Sequence, residues 1–382
     1  MHIIIPCFLD LTELPPAINV IDLLLQDGHT VSVISLFKNE ASNNIFGNKV
    51  KYYSIIEKRP RKIKKFENNY HYLVIKKKYD EFLIQKKAKK IFNIIDSIID
   101  DDSTLWIMHE YTASTMGRKL INNGYKYIFS VFELDNNVEN ALFLKEVSQK
   151  ALSVVVPEYN RAHILKAWWR LEKLPFILPN KPSYHPRIKN MNITDEKTNK
   201  IIKSLEGKKI ILYLGIFMEE RRLDTIIEAV KRMGDDYVLV FMGHKSPYLN
   251  QLLRIYKNEF VYLDYTAPPN HLQVASHAHI GILTYVAVSK SINPLFCAPN
   301  KLYEYAGFGI PMLCNDIPGL KYQVEYSNIG TCSDIEKVND ICESINKIET
   351  NYGDMSYNAM HYFDSCDIQG IIRNIINSIK PE

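Results

Sequence analysis

The chain has 382 residues, 46% apolar and 24% charged, with a formal net charge of +4. These values are those of an ordinary globular protein, and the length exceeds what one hydrophobic core usually organises, so two domains are expected. No run approaches the ~18 uninterrupted apolar residues of a membrane-spanning helix, which excludes that class.

The N-terminal MHIIIPCF has no basic n-region and no small-residue cleavage site, so no secretory leader is expected. Cys7, Cys297, Cys314, Cys332, Cys342 and Cys366 are scattered, with no CxxC pair. They read as reduced, mostly buried thiols of a cytoplasmic protein, with neither a zinc site nor a disulfide framework.

Charge is unevenly distributed. Residues 57–90 hold thirteen Lys/Arg against four Asp/Glu, interleaved with Phe66, Tyr70, Tyr72 and Phe82. A basic block of this kind, residues 58–90, reads either as a solvated helix face or as a patch for an anionic membrane surface at the inner leaflet. Nucleic acid is not expected, because no recognition-helix, RRM or zinc-finger pattern accompanies it.

In chain order, residues 2–6 read as a buried strand. Ala17, Ile18, Ile21, Leu24 and Leu25 recur at helical spacing up to Gly28, and residues 30–36 give the next strand. A long helix is expected over 79–100. Strand 104–108, helix 112–122, strand 126–131, helix 138–149, strand 152–156, helix 159–171 and strand 176–178 follow.

Residues 179–200, with three prolines and little apolar content, read as a linker. The rhythm then restarts with strand 209–214, helix 223–233, strand 237–242, helix 248–256, strand 260–264, helix 269–277 and strand 280–284. Helix 301–308 and strand 311–315 are expected to close the second half, and an amphipathic helix over 368–379 to end the chain.

This alternation predicts parallel α/β sheets covered on both faces: two Rossmann-like domains facing each other across a cleft. The boundaries expected are 1–182 for the first domain and 183–360 for the second. Residues 361–382 are expected to be a helix packing back on the first domain. Ligands of such sheets bind beyond the carboxyl ends of the strands.

Three features lie there in the second half. In PNKLYEYAGFGIP (299–311), Asn300 reads as an N-cap and Glu304 follows one turn later on the same face, while Leu302, Tyr305 and Ala306 face the sheet. The helix start would favour a phosphate, and Glu304 could accept from vicinal hydroxyls such as those of a ribose. In GIFMEERRLD (215–224), a strand ends on Gly215 and Arg221 and Arg222 precede a helix; Arg suits bidentate phosphate contact. Gly243-His244 ends the next strand. Each feature also has a plain structural reading: a cap with a first-turn acid, a solvated Arg pair beside Glu219 and Glu220, and a surface histidine.

Residues 210–318 resemble the donor-binding half of GT-B glycosyltransferases, specifically the retaining family-4-like group (glycosyl transferases group 1). ILYLGIFMEERRLDTIIEAV is similar to that group's strand–Gly–loop–basic–helix segment, and PNKLYEYAGFGIPMLCND to its PxKxxEYxAxGxPV segment. The resemblance places Gly215 and Gly243 at the two glycine turns and Arg221 against the donor diphosphate. Pro299, Asn300, Lys301 and Leu302 fall near that diphosphate, and Glu304, the second acid of E-x7-E, falls on the nucleotide ribose. It implies an acceptor-side first domain and a nucleotide-sugar-binding second one, with a UDP-sugar as donor, a glycan or lipid-linked acceptor, and no required cofactor or metal.

The chain departs from the pattern at three places. Phe296 stands where the first acid of E-x7-E belongs, Phe132 where many members have a catalytic-site His, and FLDLTE (8–13) where a glycine-rich loop follows the first strand. Acceptor-side candidates are Asp10, Glu13, His109, Glu110, Glu133 and Asp135, with His109-Glu110 favoured and Glu133 beside them as the catalytic expectation. Three readings stand: a transferase, a GT-B-like binding subunit, and a nucleotide-sugar epimerase.

Overall fold

Ile3, Ile4 and Ile5 of the first strand, β1 (His2–Cys7), are wholly buried, as a strand covered on both faces must be. The computed structural model describes residues 1–37, 45–56, 70–135, 137–287 and 291–380. They form two units, Met1–Leu178 with Ile368–Glu382, and Pro179–Asp367.

The first unit adds β2 (Thr30–Phe37), β3 (Val50–Ile56), β4 (Ser103–Met108), β5 (Tyr127–Ser130), β6 (Ser153–Val156) and β7 (Phe176–Ile177). They lie in the order β3-β2-β1-β4-β5-β6-β7, all parallel. Every residue of β4 is buried, and Trp106 donates from its indole to Ser130 Oγ at 2.8 Å, so its one polar atom is satisfied in the core. Helix Ile368–Ser378 closes this unit by burying Ile372, Ile375 and Ile376, and Arg373 grips Asp27 with Nε and Nη2 at 2.7–3.1 Å.

The second unit holds β8 (Lys209–Leu214), β9 (Tyr237–Gly243), β10 (Val261–Asp264), β11 (Ile280–Leu283), β12 (Met312–Asn315) and β13 (Gly330–Ser333). Their order is β10-β9-β8-β11-β12-β13, again all parallel. Strand order reverses between β8 and β11, and the crevice beyond their carboxyl ends is where a sheet of this kind takes its ligand.

Three sequence expectations need correction. β3 is a seventh strand that the run of lysines beyond it hid. The second unit does not close at β12: β13 follows, then helices Val338–Thr350 and Tyr352–Ser365. The long helix of the first unit starts at Tyr70 and ends at Ile98. Of the basic stretch 58–90, residues 58–69 lie outside the described residues. No helix among the described residues is long and apolar enough to cross a membrane.

Candidate active site

The carboxyl ends of β8 and β9 approach at two glycines. Gly215 follows β8 with φ +139°, a conformation that L side chains rarely adopt. A Cβ built on Gly243 would lie 2.0 Å from the Gly215 carbonyl oxygen. Gly215 is reserved by its backbone conformation and Gly243 by the main chain beside it, so the strand ends present bare backbone.

Lys301 covers this backbone: a Cβ on Gly215 would lie 2.9 Å from its Nζ. The lysine starts from helix Asn300–Gly307, which β11 seats closely. A Cβ on Gly281 would meet the Tyr305 ring at 2.4 Å, and the Tyr305 hydroxyl donates to the Leu212 carbonyl at 2.9 Å. Leu302, Tyr305 and Ala306 are wholly buried, on the face the sequence assigned to the sheet. Asn300 is not the cap. It is the first helical residue, and Pro299, held extended at φ −73° and ψ 132°, occupies the cap position with no side-chain hydrogen bond. The early amides of this helix therefore receive nothing from a capping side chain.

The two arginines of the loop after β8 have different fates. Arg222 adopts φ +49° and pairs with Glu336 at 2.6 Å. Arg221 lies over the Tyr285 ring, 4.1 Å from its centroid, and one Nη donates to the Thr284 carbonyl at 2.7 Å, while its Nε is buried without a partner. Asn315 clamps the same loop, accepting from the Tyr285 amide at 2.9 Å and donating to the Tyr285 carbonyl at 3.0 Å. Arg221 is thus fixed at the end of β11.

Glu304 lies one turn into its helix with its side chain 16% exposed. His271 Nε2 stands 3.1 Å from its Oε1. Burial pushes the Glu304 carboxyl up, but the His271 hydrogen bond and the Lys301 charge outweigh it and hold the group below its usual value. Lys301 is pulled down by burial, with the Glu304 charge opposing. From the linker, His185 Nε2 sits 3.0 Å from the Glu304 carbonyl oxygen, and its ring occupies the space a Cβ on Gly307 would need. Burial lowers His185 to about 4, so this clamp is neutral. His271 is absent from the sequence reading; one histidine after a Pro-Pro pair carries no local signal that it faces an acid 33 positions later.

His244 stacks on Tyr265, centroids 3.9 Å apart, beyond β9 and β10. Phe296 falls on the Pro294–Phe296 turn, so no carboxylate enters from the place the sequence pattern reserves for the first acid.

The first unit brings His109, Glu110 and Glu133 together. His109 ends β4 at φ +88° and caps helix Glu110–Asn122, its Nδ1 accepting from the Tyr111 amide at 3.1 Å. Glu110 is buried. Its Oε1 accepts from the Glu133 amide at 2.8 Å, and its Oε2 lies 3.4 Å from His109 Nδ1. Desolvation pushes Glu110 up to about 7 and holds His109 below its ordinary value. The Glu133 side chain is exposed. Among the described residues, no group of three or more His, Cys, Asp or Glu is arranged to hold a metal ion.

Two all-parallel sheets with these crossovers define a GT-B fold. The family described as glycosyl transferases group 1 matches residues 194–362, which contain the whole Gly215–Arg221–Lys301–Glu304 cluster. No curated protein matches the sequence. Solved structures with this fold include Anabaena HepE in complex with UDP, at TM-score 0.70 and 10% identity over 99% of both chains. The E. coli trehalose-6-phosphate protein bound with UDP-2-fluoro glucose superposes at TM-score 0.70 and 10% identity, covering 100% of this chain and 99% of its own. Sucrose-phosphate synthase of Thermosynechococcus elongatus does so at 0.68 and 12%, covering 99% and 98%. The chain thus resembles GT-B glycosyltransferases along its length, and group 1 in its second unit.

Proposed function

We propose that this protein is a hexosyltransferase that moves a sugar from a nucleotide diphosphate sugar, a UDP-sugar, to a glycan or lipid-linked acceptor with retention, in polysaccharide biosynthesis. The observation that carries the reading is the gathering of Arg221, Lys301 and Glu304 around the bare backbone of Gly215 and Gly243. Two cations there match a diphosphate, and one carboxylate matches the hydroxyls of a ribose. UDP and UDP-glucose in complexes of HepE support the choice of base.

In the proposed reaction the bond from the anomeric carbon to the diphosphate oxygen breaks as the acceptor oxygen bonds the same carbon on the same face. The acceptor proton passes to the departing phosphate oxygen. The negative charge that develops on that oxygen is what Arg221, Lys301 and the uncapped amides of Asn300 and Lys301 stabilise. On the acceptor side, His109 and Glu110 would orient the incoming hydroxyl, with Glu133 beside them. Donor binding with no required metal, a location on the cytoplasmic face, and docking on anionic lipid through residues 58–90 complete the reading.

The test is calorimetric titration with UDP and with a panel of UDP-sugars. Wild-type protein should bind, and Arg221→Ala and Glu304→Ala should each weaken binding; unchanged affinity in both moves the donor site elsewhere. Phe296 favours one rival, a GT-B subunit that binds a donor without transferring it. Turnover of a UDP-sugar by the purified single chain separates the two.

A further inference from the structure

Glu304 sits between two groups that compete for its carboxylate. Lys301, three residues earlier on the same helix, offers an ammonium group, and the Glu304 and Lys301 charges act on each other. Left to that attraction alone, the carboxylate would turn toward the ammonium. Such a pairing would cancel the cation over Gly215 and remove a hydroxyl acceptor from the cluster.

His271 holds the carboxylate against this. Its Nε2 is 3.1 Å from Oε1, both side chains are mostly buried, and the ring comes from a different element, helix His271–Ala275. The other ring nitrogen fixes which way the proton points. His271 Nδ1 is buried with no hydrogen-bond partner among the described residues. A buried N–H without an acceptor is costly, so in the neutral ring the proton belongs on Nε2, directed at Glu304. One carboxylate oxygen is therefore taken by His271. Oε2 has no hydrogen-bond partner among the described residues and stays available. The helix backbone at the same residue is pinned from the opposite side by the neutral His185 at 3.0 Å.

We propose that His271 is a positioning residue: it orients Glu304 as an acceptor for the donor's ribose hydroxyls and makes the site select ribonucleotides over deoxyribonucleotides. This inference rests on the reading of Glu304 as the ribose-facing acid. It gives His271 no contact with the reacting atoms. Its effect should fall on recognition of the sugar ring of the nucleotide, while the diphosphate is held independently by Arg221 and the helix amides.

The experiment is titration of the full-length protein with UDP and with dUDP, which differ by one ribose hydroxyl. Wild type should prefer UDP by roughly tenfold or more, the range of one hydrogen bond to a charged acceptor. In His271→Leu the preference should collapse, mainly through loss of UDP affinity. In His271→Gln, whose amide can donate from nearly the same place, much of it should return. Binding of inorganic pyrophosphate should persist in both variants, which also reports that the site is folded. Full discrimination by His271→Leu overturns the inference. The Glu304→Ala arm separates the two layers. If Glu304→Ala loses discrimination while His271→Leu keeps it, only the role of His271 falls; if Glu304→Ala keeps it too, the ribose reading falls with it.

Discussion

A Cβ on Gly243 would stand 2.0 Å from the carbonyl oxygen of Gly215, so the ends of β9 and β8 touch through bare backbone. Gly243→Ala therefore cannot be absorbed by a rotamer change, because the obstacle is main chain. The strands must separate, at a cost of about 1–3 kcal/mol typical of overpacking. Urea denaturation should show that loss, and UDP binding should weaken with it. An alanine at 243 with wild-type midpoint and affinity would contradict the close approach.

Arg221 and Arg222 are adjacent, yet only one faces the cluster. Arg222 is engaged by Glu336 at 2.6 Å, whereas Arg221 keeps its guanidinium over Tyr285. Arg221→Ala should cost UDP about 1.5–3 kcal/mol, tenfold or more in Kd, the usual worth of a charge-assisted hydrogen bond. Arg222→Ala should leave Kd within a factor of two or so. Calorimetry on the pair is decisive, since equal losses would place both arginines on the ligand.

Glu110 ties the stability of the first unit to pH. Its carboxyl titrates near 7 in the folded protein against an ordinary 4.5, because burial disfavours the ion. Between those values the unfolded chain has released a proton that the folded chain retains. Stability from this group is therefore full below about pH 4.5 and is lost as pH rises through 7, by up to roughly 3 kcal/mol. His109, lowered by burial, works the other way on the acid side of its ordinary 6.5. The difference between wild type and Glu110→Gln isolates the carboxyl. The variant should match wild type near pH 5 and exceed it at pH 8. Parallel stability curves from pH 5 to 8 would show that Glu110 ionises freely.

Tyr305 is held by shape and by one hydrogen bond, and the two can be removed separately. Tyr305→Phe deletes the donor to Leu212 and should cost about 1–2 kcal/mol. Gly281→Ala drives a methyl toward the ring, 2.4 Å from its nearest atom, and should cost at least as much while displacing Lys301 and Glu304 on the same helix. Melting temperature measures the first effect. The second should also appear as weaker UDP binding, and a Gly281→Ala protein with unaltered affinity would mean that the helix tolerates the shift.

The basic stretch should drive binding to anionic lipid. Each Lys near an anionic bilayer is worth about 1 kcal/mol. Changing Lys62, Lys64, Lys65, Lys76 and Lys77 to Glu should abolish co-sedimentation with phosphatidylglycerol vesicles at low salt. Retained sedimentation would leave residues 58–90 with a merely solvated face.

The βα rhythm was readable because strands covered on both sides appear as unbroken apolar runs, such as Ile3-Ile4-Ile5 and Ile210-Ile211-Leu212. What escaped was weakly apolar or remote in sequence. β13 is only Gly-Thr-Cys-Ser, and it is buried because Gly330 lies against Met312: a Cβ there would be 2.1 Å from the Met312 carbonyl oxygen. β3 alternates Val50, Tyr52 and polar residues at the sheet edge, just before the lysines begin. The Gly215, Gly243 and Lys301 neighbourhood could be anticipated from strand ends, since crossover rules bring those ends together. The partner of Glu304 could not, because a pairing between residues 271 and 304 is set by where a short helix lands on the sheet.

The final helix, Ile368–Ser378, belongs to the same unit as Met1–Leu178, while everything from Pro179 to Asp367 belongs to the other. During synthesis, the unit that begins first is therefore completed last. The nascent chain carries an unfinished N-terminal half, with the surface meant for Ile372, Ile375 and Ile376 uncovered, until Ile368–Ser378 has been translated. The contiguous half can close before it. Loss of residues 368–382 would thus damage the unit that opens the sequence and spare the one that precedes them in the chain.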